Sequence, residues 1–429
     1  MRMLAAALAL ALMLPAGTRS VAAATAVVDL GGSRAYVRSD PGLALCGITL
    51  FVRAGLERQG ADQNGLAALA AESVLRQRTT AGVPVTDAVS ALGGSLSYAV
   101  AAQYVRFYLE GPADSIDALA ALVSRALAAP AFDTATLTAA RTALDARIAD
   151  DERDPRQVGM EMLRESHYVG GAGMPALGTT NSLAAFAPAD VQAFFAKWYG
   201  RGDAFVTVVG RTGPASSTAS AALVAALPAG TAARAAVVTA RPYGAQPKRL
   251  VTRRDVFAPF VVIGFAAPSL GDPDFPTALV MRTLLAEVLE RPSATTTPLL
   301  LRAGGTIYGY DTTPSQLTLW INGGMIDPTA GISAIDAVLK RAASQPLTAA
   351  AVTRFKERAR GEWALENLSL DERAWEIGNA VAQGLDADAA AQVDAAIAGV
   401  TPADLQRVAQ RYFQRFDVAL VLPRAGSGG

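Results

Sequence analysis

The hydrophobic and polar positions of the first 80 residues predict a hairpin followed by a helix. Apolar runs at residues 26–30, 34–38 and 43–54 predict strands, and Pro41-Gly42 presets the turn between the last two. A helical period then covers residues 65–79, and Asn64 precedes it as the expected cap. The chain therefore begins its folded part with strands that lead into one apolar helix.

The pattern continues with more strands and several long helices. Glycines and prolines divide these segments from one another, as at Gly93-Gly94 and Asp154-Pro155. Helices are predicted at 84–92, 114–128, 133–151 and 188–199, and strands at 95–101, 104–111 and 204–209. A stretch that contains His167 and residues 170–180 is interpreted as turn-rich.

The second half of the sequence repeats the first. GGSLSY at Gly93 has a counterpart in GGTIYG at Gly304, and PADVQAFFAKWY at Pro188 has one in PADLQRVAQRYF at Pro402. The helical pattern at 274–290 takes the place of the one at 65–78. Several matches at one offset and in one order indicate a duplicated domain, since the period is far longer than that of a solenoid.

These patterns predict an α+β fold. Each of two tandem homologous domains is expected to be a mainly antiparallel sheet with helices packed on one face. The predicted boundaries are a signal peptide at 1–24, a first domain at 25–211, a linker at 212–247 and a second domain at 248–429.

Charge and composition exclude some classes of function. Lysine plus arginine and aspartate plus glutamate number 38 each, so no net charge favours binding to nucleic acid or to an anionic membrane surface. The single cysteine, Cys46, gives no disulfide within the chain and is expected to be a buried, inert thiol. A single histidine, His167, excludes any site that needs two histidines.

The amino terminus has the features of an export signal. Arg2 precedes an apolar run at 4–14 that is too short to span a bilayer, and alanines at 22–24 offer a cleavage site. An uncleaved membrane anchor is the alternative. We expect the mature protein, cleaved near Ala24, to be periplasmic or secreted, with no stable membrane insertion.

The ordered set of motifs resembles the insulinase/pitrilysin family of inverted zinc peptidases, in its two-domain bacterial and mitochondrial-processing type. The motifs are the Gly65-Leu66-Ala67 opening of the helix, Leu177-Gly178-Thr179 after His167-Tyr168, and a Gly-x-x-Tyr-Gly element that ends at Gly309. The resemblance covers essentially the whole mature chain.

In that family a helical H-x-x-E-H motif binds zinc and activates water. The matching positions here are Ala68, Ala71 and Glu72, and the best match for the further zinc ligand is Arg147, within one or two positions. Alanine offers no ligand and arginine would oppose a cation. The resemblance therefore implies that this chain binds no metal and has no zinc peptidase activity, and Glu72 is expected to be a solvated or ion-paired residue.

The second half keeps one element that the resemblance links to substrate. LLLRAGGTIYG places Arg302 and Tyr308 where related enzymes use an arginine and a tyrosine to hold the substrate carbonyl and stabilise its developing charge. The spacing is one residue short of the family pattern, and Tyr310 could replace Tyr308. An ordinary surface arginine and a core tyrosine are the alternative interpretation.

Taken together, the resemblance implies a non-catalytic subunit of a heterodimeric periplasmic zinc peptidase. A catalytic partner with an intact zinc motif would supply zinc and base, and this chain would complete the chamber for unfolded peptides with Arg302 and Tyr308. A catalytically dead scaffold or peptide-binding protein is the alternative. An enzyme with another nucleophile has little support, because His167 is the one imidazole and no G-x-S-x-G motif is present.

Overall fold

The computed structural model describes residues 24–230, 238–290, 302–308, 315–322 and 328–424. The strands in chain order are β1 (Ala26–Asp29), β2 (Arg34–Ser39), β3 (Leu45–Val52), β4 (Ser95–Val100), β5 (Val105–Pro112), β6 (Tyr168–Val169), β7 (Phe205–Gly210), β8 (Thr239–Ala240), β9 (Arg249–Arg254), β10 (Phe260–Ala267), β11 (Arg302–Tyr308), β12 (Ser315–Asn322) and β13 (Phe416–Pro423).

Helices occupy most of the rest of the described chain. In order they are α1 (Leu66–Leu75), α2 (Val85–Ala91), α3 (Ile116–Ala128), α4 (Thr134–Asp151), α5 (Pro155–His167), α6 (Thr180–Ala185), α7 (Pro188–Trp198), α8 (Pro214–Ala225), α9 (Phe275–Glu290), α10 (Pro328–Ser344), α11 (Ala349–Leu365), α12 (Leu370–Ala382), α13 (Val393–Gly399) and α14 (Pro402–Tyr412). None of the described helices is long and apolar enough to cross a membrane.

The two halves of the chain build sheets of the same topology. The first sheet has the order β1-β2-β7-β3-β5-β4, and the second has the order β9-β13-β10-β12-β11. In each sheet one pair is parallel, β2 with β7 and β9 with β13, and every other pair is antiparallel. This agreement matches the repeat in the sequence, and it confirms the α+β fold class with mainly antiparallel sheets.

The two halves exchange one helix each. Helix α5 belongs to the first half but packs on β10 and β13 of the second sheet, whereas α12 belongs to the second half but packs on β3 and β7 of the first. Each sheet is therefore covered on one face by its own helices and on the other by a helix of the opposite half. Burial on both faces explains why β3, β7 and β10 are almost continuously apolar.

A glycine in each exchanged helix permits close contact with the sheet beneath it. A Cβ at Gly159 of α5 would overlap the side chain of Val262, and one at Gly378 of α12 would overlap the ring of Phe51. Polar contacts add to the junction, since Thr207 Oγ1 donates to the carbonyl of Ala374 at 3.0 Å. The two halves thus pack through large apolar surfaces.

One segment differs from the sequence-based expectations. No helix was predicted between Asp154-Pro155 and His167, but α5 lies there, and Asp154 caps it by accepting from the N–H of Arg156 at 2.9 Å. In the predicted linker at 212–247, α8 places Ala219, Leu223 and Val224 in the core of the first half. Asp154-Pro155 begins a helix here, because proline is well tolerated in a first helical turn.

Candidate functional site

Helix α1 begins with an unusual backbone conformation and a cap from a preceding loop. Gly65 adopts φ 102°, which favours glycine, and Gln59 Oε1 accepts from the N–H groups of Gly65 and Ala67 at 3.0 and 2.9 Å. Asn64 instead donates through Nδ2 to the carbonyl of Pro175 at 3.0 Å. The prediction that Asn64 caps this helix is therefore wrong.

The two alanines at the zinc-motif positions lie in closely packed core. All ten residues of α1 are buried, and Ala68 and Ala71 are 0% exposed. The helix contacts α4, α7 and β4, which surround it on several sides. Larger ligand side chains at these positions would need space that the packing does not provide.

Glu72 is buried and paired with two arginines. Its residue exposure is 2%; Oε1 accepts from Arg76 Nε at 2.6 Å, and Oε2 lies 3.8 Å from Arg147 Nη1. Arg147 also lies 5.0 Å above the centre of the Tyr98 ring. The carboxylate of Glu72 is therefore ion-paired. Of the two states expected from the sequence, solvated or ion-paired, the second is the one observed.

This arrangement does not fit a zinc ion. Two of the positions carry methyl groups, and the one carboxylate faces two guanidinium groups that repel a cation. Among the described residues, no group of three or more histidine, cysteine, aspartate or glutamate side chains is placed to hold a metal ion.

A cleft of about 520 Å³ lies beside α4. Its walls come mainly from α4, α5 and residues 175–181, and its charged lining consists of Asp145, Asp151, Glu152, Glu161 and Arg164. Arg164 donates to the carbonyl of Ala172 at 3.0 Å and to Glu161 Oε1 at 2.9 Å. Carboxylates therefore outnumber cations in this lining, and the volume suits a short peptide segment.

His167 is a buried residue at the end of α5. It is 3% exposed, its ring stacks on Tyr243 at 4.5 Å, and neither ring nitrogen has a hydrogen-bond partner among the described residues. Burial, aided by the positive charges of Arg241 and Lys248, lowers the pKa of His167 to about 4. The expectation of a loop histidine with a local hydrogen bond is thus wrong, and this neutral ring is closed off from solvent.

Cys46 is confirmed as a buried thiol. It is 0% exposed in β3, and burial raises its pKa to about 12. A thiol with such a pKa is a poor nucleophile, since the thiolate is the reactive form.

Arg302 and Tyr308 are the first and last residues of β11. Register places Arg302 opposite Asn322 and Tyr308 opposite Gln316, at the edge of the second sheet. Six residues of strand separate their α-carbons by roughly 20 Å. Tyr310, the possible substitute, lies outside the described residues.

The sequence-based reasoning did not identify Arg76 or Gln59 as partners in this region. Arg76 follows Glu72 by four residues on α1, and this spacing on one helical face is a signal that the sequence does contain. Gln59 acts from a short loop before the helix, so its role depends on a conformation that no pattern indicates.

Comparison with solved structures gives clear matches in fold. The inactive domain of an M16 peptidase from Pseudomonas fluorescens is 14% identical with a TM-score of 0.80, over 94% of this chain and 100% of that one. A protease from Helicobacter pylori is 15% identical with a TM-score of 0.80, over the same shares. A chain of complex III2 from Candida albicans is 14% identical with a TM-score of 0.74, over 92% of this chain and 95% of that one.

Comparison at the level of sequence gives no match. No protein-family model matches the chain, and no curated protein does. The similarity to solved structures extends over nearly the whole chain, so the fold is that of M16 peptidases and of their inactive relatives.

Proposed function

We propose that this chain is the non-catalytic subunit of a heterodimeric periplasmic zinc peptidase of the insulinase type. The observation that carries the proposal is the state of α1, where Ala68 and Ala71 are fully buried and Glu72 is paired with Arg76 and Arg147. Such a helix maintains the fold and provides no hydrolytic centre. The likeness to a structure named as an inactive M16 domain supports the same interpretation.

The catalytic partner would carry the intact H-x-x-E-H motif and its zinc ion. In the complex this chain would close one side of a chamber that holds unfolded peptides. The cleft beside α4 supports peptide binding, because its volume and polar lining suit a short segment of chain. After removal of a signal peptide near Ala24, both subunits would meet in the periplasm.

Arg302 and Tyr308 would bind the substrate at two points along its length. Their separation along β11, roughly 20 Å, exceeds what a single carbonyl group requires, but it matches about six residues of an extended peptide. In this arrangement the pair positions the peptide, and the catalytic partner carries out the chemistry.

The first test is to purify the mature chain alone and together with its expected partner, the product of a neighbouring gene with an intact zinc motif. Zinc content is measured by mass spectrometry, and cleavage is followed with a quenched unstructured peptide. We expect a metal-free, inert single chain that strongly activates the partner. A chain that cleaves the peptide alone, or that leaves the partner unchanged, would contradict the proposal.

The second test addresses the Arg/Tyr pair in that complex. We expect Arg302→Ala and Tyr308→Phe each to raise the KM of the complex about tenfold, as loss of one good substrate contact would do. Arg125→Ala is the matched control, since Arg125 is exposed on α3, and it should leave KM unchanged. Equal KM values for all complexes would show that Arg302 and Tyr308 do not bind the substrate.

A catalytically dead scaffold is the second candidate. A chain of complex III2 has the same fold with a TM-score of 0.74, so the fold also occurs within a larger assembly. Stable co-purification with other proteins, with no effect on any peptidase, would favour this candidate.

A further inference from the structure

The two sheets differ at one edge, although their topology is the same. In the first sheet β2 pairs on one side with β7 and on the other with β1. In the second sheet the matching strand, β9, pairs with β13, and no other described strand lies beside it. Within the described part of the chain, the position that β1 fills in the first half therefore has no counterpart in the second.

The path of the preceding chain explains the difference. Residues 239–240 form β8, which pairs with β6, and Tyr243 is buried against His167. Residues 239–243 thus follow the end of α5, and none of the described residues before β9 forms a strand along its outer edge.

The outer edge of β9 presents free backbone groups. The carbonyls of Lys248 and Arg254 accept from the N–H groups of Val418 and Arg424 of the neighbouring strand at 2.9 and 3.0 Å. Because alternate residues turn toward the same neighbour, the backbone N–H and C=O groups of Arg249, Val251 and Arg253 point away from β13. Of these groups, the Arg253 carbonyl accepts from Nη1 of Arg254 at 3.2 Å. All three residues are exposed, and Val251 is 55% exposed.

The same edge is strongly basic. The segment from Lys248 to Arg254 reads KRLVTRR and contains four cations and no acidic residue, in a chain of zero net charge. Neither Arg249 nor Arg253 has an ion-pair partner among the described side chains; Arg253 Nη1 donates to the carbonyl of Pro423 at 3.0 Å. In the first half, by contrast, β1 places Asp29 opposite Arg34 of β2.

We propose that the outer edge of β9 binds an acidic extended segment of a partner protein by strand addition. The added strand would bond to the backbone groups of Arg249 and Val251 and to the N–H of Arg253, as β1 bonds along β2. Acidic side chains in alternate positions would pair with Arg249 and Arg253, and a small apolar residue between them would contact Val251.

Charge opposes the simplest other occupant, a second copy of this chain. Two β9 edges paired antiparallel about Val251 would place Arg249 of each copy opposite Arg253 of the other. Like charges directly opposite one another destabilise a strand pair. The proposal does not depend on the zinc-peptidase partner, so each can fail while the other stands.

The test uses a labelled peptide, acetyl-Thr-Glu-Thr-Val-Thr-Glu-Thr-amide, and the full chain. Fluorescence anisotropy should show saturable binding that weakens with salt, whereas the same peptide with lysines in place of glutamates should not bind. Hydrogen exchange should show added protection at residues 249, 251 and 253 of the wild-type chain. The proposal would be overturned if binding did not saturate up to about 1 mM peptide. A Kd of that size corresponds to a binding free energy of about 4 kcal/mol.

Val251→Pro is the decisive variant, because it removes an N–H group that β13 does not use, and proline is accepted at such edge positions. We expect it to weaken peptide binding about tenfold or more, while Val251→Thr, the matched control, stays within about twofold. Arg249→Gln with Arg253→Gln should also weaken binding, mainly at low salt. Circular dichroism and thermal unfolding confirm that each variant is folded.

Three other outcomes would overturn the proposal and identify the true role of the edge. Equal binding of a backbone N-methylated peptide, or of the Val251→Pro variant, would mean charge attraction without strand addition. A dimer in sedimentation velocity that Val251→Pro abolishes would identify a second copy as the occupant. Binding to phosphatidylglycerol vesicles, unchanged in that variant, would identify an anionic membrane surface.

Discussion

The central helices of the two halves each bury one charge, and the two charges have opposite signs. Glu72 on α1 is 2% exposed and pairs with Arg147 from α4. Arg282 on α9 is 4% exposed and pairs with Glu366, which directly follows α11, and with Glu362 of α11, at 2.9 and 3.7 Å. Helices α4 and α11 are each the second α-helix after the matching strands β5 and β12, so the two pairs occupy matching places.

This comparison indicates that a buried charge at this position of the fold must be neutralised by a partner, and that the sign of the buried charge does not matter. A buried charge on the central helix is stable only when the long helix beside it provides a partner. The second half fulfils this requirement with Arg282 and two glutamates. Glu72 and its arginines fulfil the same requirement in the first half, where the family resemblance places a zinc site.

The largest expected effect comes from removing both partners of Glu72. In Arg76→Met with Arg147→Met the carboxylate stays buried without compensation, which costs about 3–5 kcal/mol of unfolding free energy. Urea unfolding followed by circular dichroism measures the change. The matched control, Arg125→Met with Arg153→Met, removes the same charge from two exposed positions and should change stability by about 0.5 kcal/mol or less. Equal effects of the two double variants would show that the pairing of Glu72 is unimportant.

A second prediction concerns His167, which is buried without a charged partner and therefore stays neutral. Burial lowers its pKa from the ordinary 6.5 to about 4 in the folded chain. Between these values the unfolded chain binds more protons, so this group makes the protein less stable as pH falls from 6.5 to 4. The full contribution is about 3 kcal/mol.

His167→Phe keeps the stack on Tyr243 and removes the titration. Its unfolding free energy, measured by urea at several pH values, should fall less between pH 6.5 and 4 than that of the wild-type chain, by about 3 kcal/mol. Parallel curves for the two proteins over this range would mean that His167 is protonated in the folded state.

The smallest expected effect comes from removing the buried member of each pair. Glu72→Gln leaves Arg76 and Arg147, whose side chains are 39% and 44% exposed and remain hydrated. Arg282→Met leaves Glu362 and Glu366, which are 30% and 47% exposed. Each variant should change the urea unfolding free energy by about 1 kcal/mol or less. A much larger loss for one variant alone would show that the two pairs are not equivalent.

The fold followed from the sequence to a large extent. Repeated motifs at nearly one offset indicated two similar halves, and apolar runs such as the one at 43–54 indicated strands. The exchange of α5 and α12 could not be predicted in the same way. An amphipathic helix shows which face it buries, but its sequence does not show which sheet covers that face.

The candidate site was predictable in its chemistry but not in its contacts. Alanines at 68 and 71 offer no metal ligand whatever the conformation. The resemblance matched Arg147, within one or two positions, to a further zinc ligand, and the structure places it 3.8 Å from Glu72. The burial of His167 was not predictable, because it depends on Tyr243, a residue 76 positions later in the chain. The cap from Gln59 depends likewise on a loop conformation that tertiary packing determines.

The exchanged helices determine how far synthesis must proceed before the protein can fold. The first sheet emerges with its last strand, Phe205–Gly210, yet the helix that covers its second face begins at Leu370. While residues 211–369 are being synthesised, the first sheet therefore has one uncovered apolar face. Such a face is a binding site for chaperones and a starting point for aggregation. Because each sheet needs a helix from the other half, neither half is complete before α12 and β13 have been synthesised.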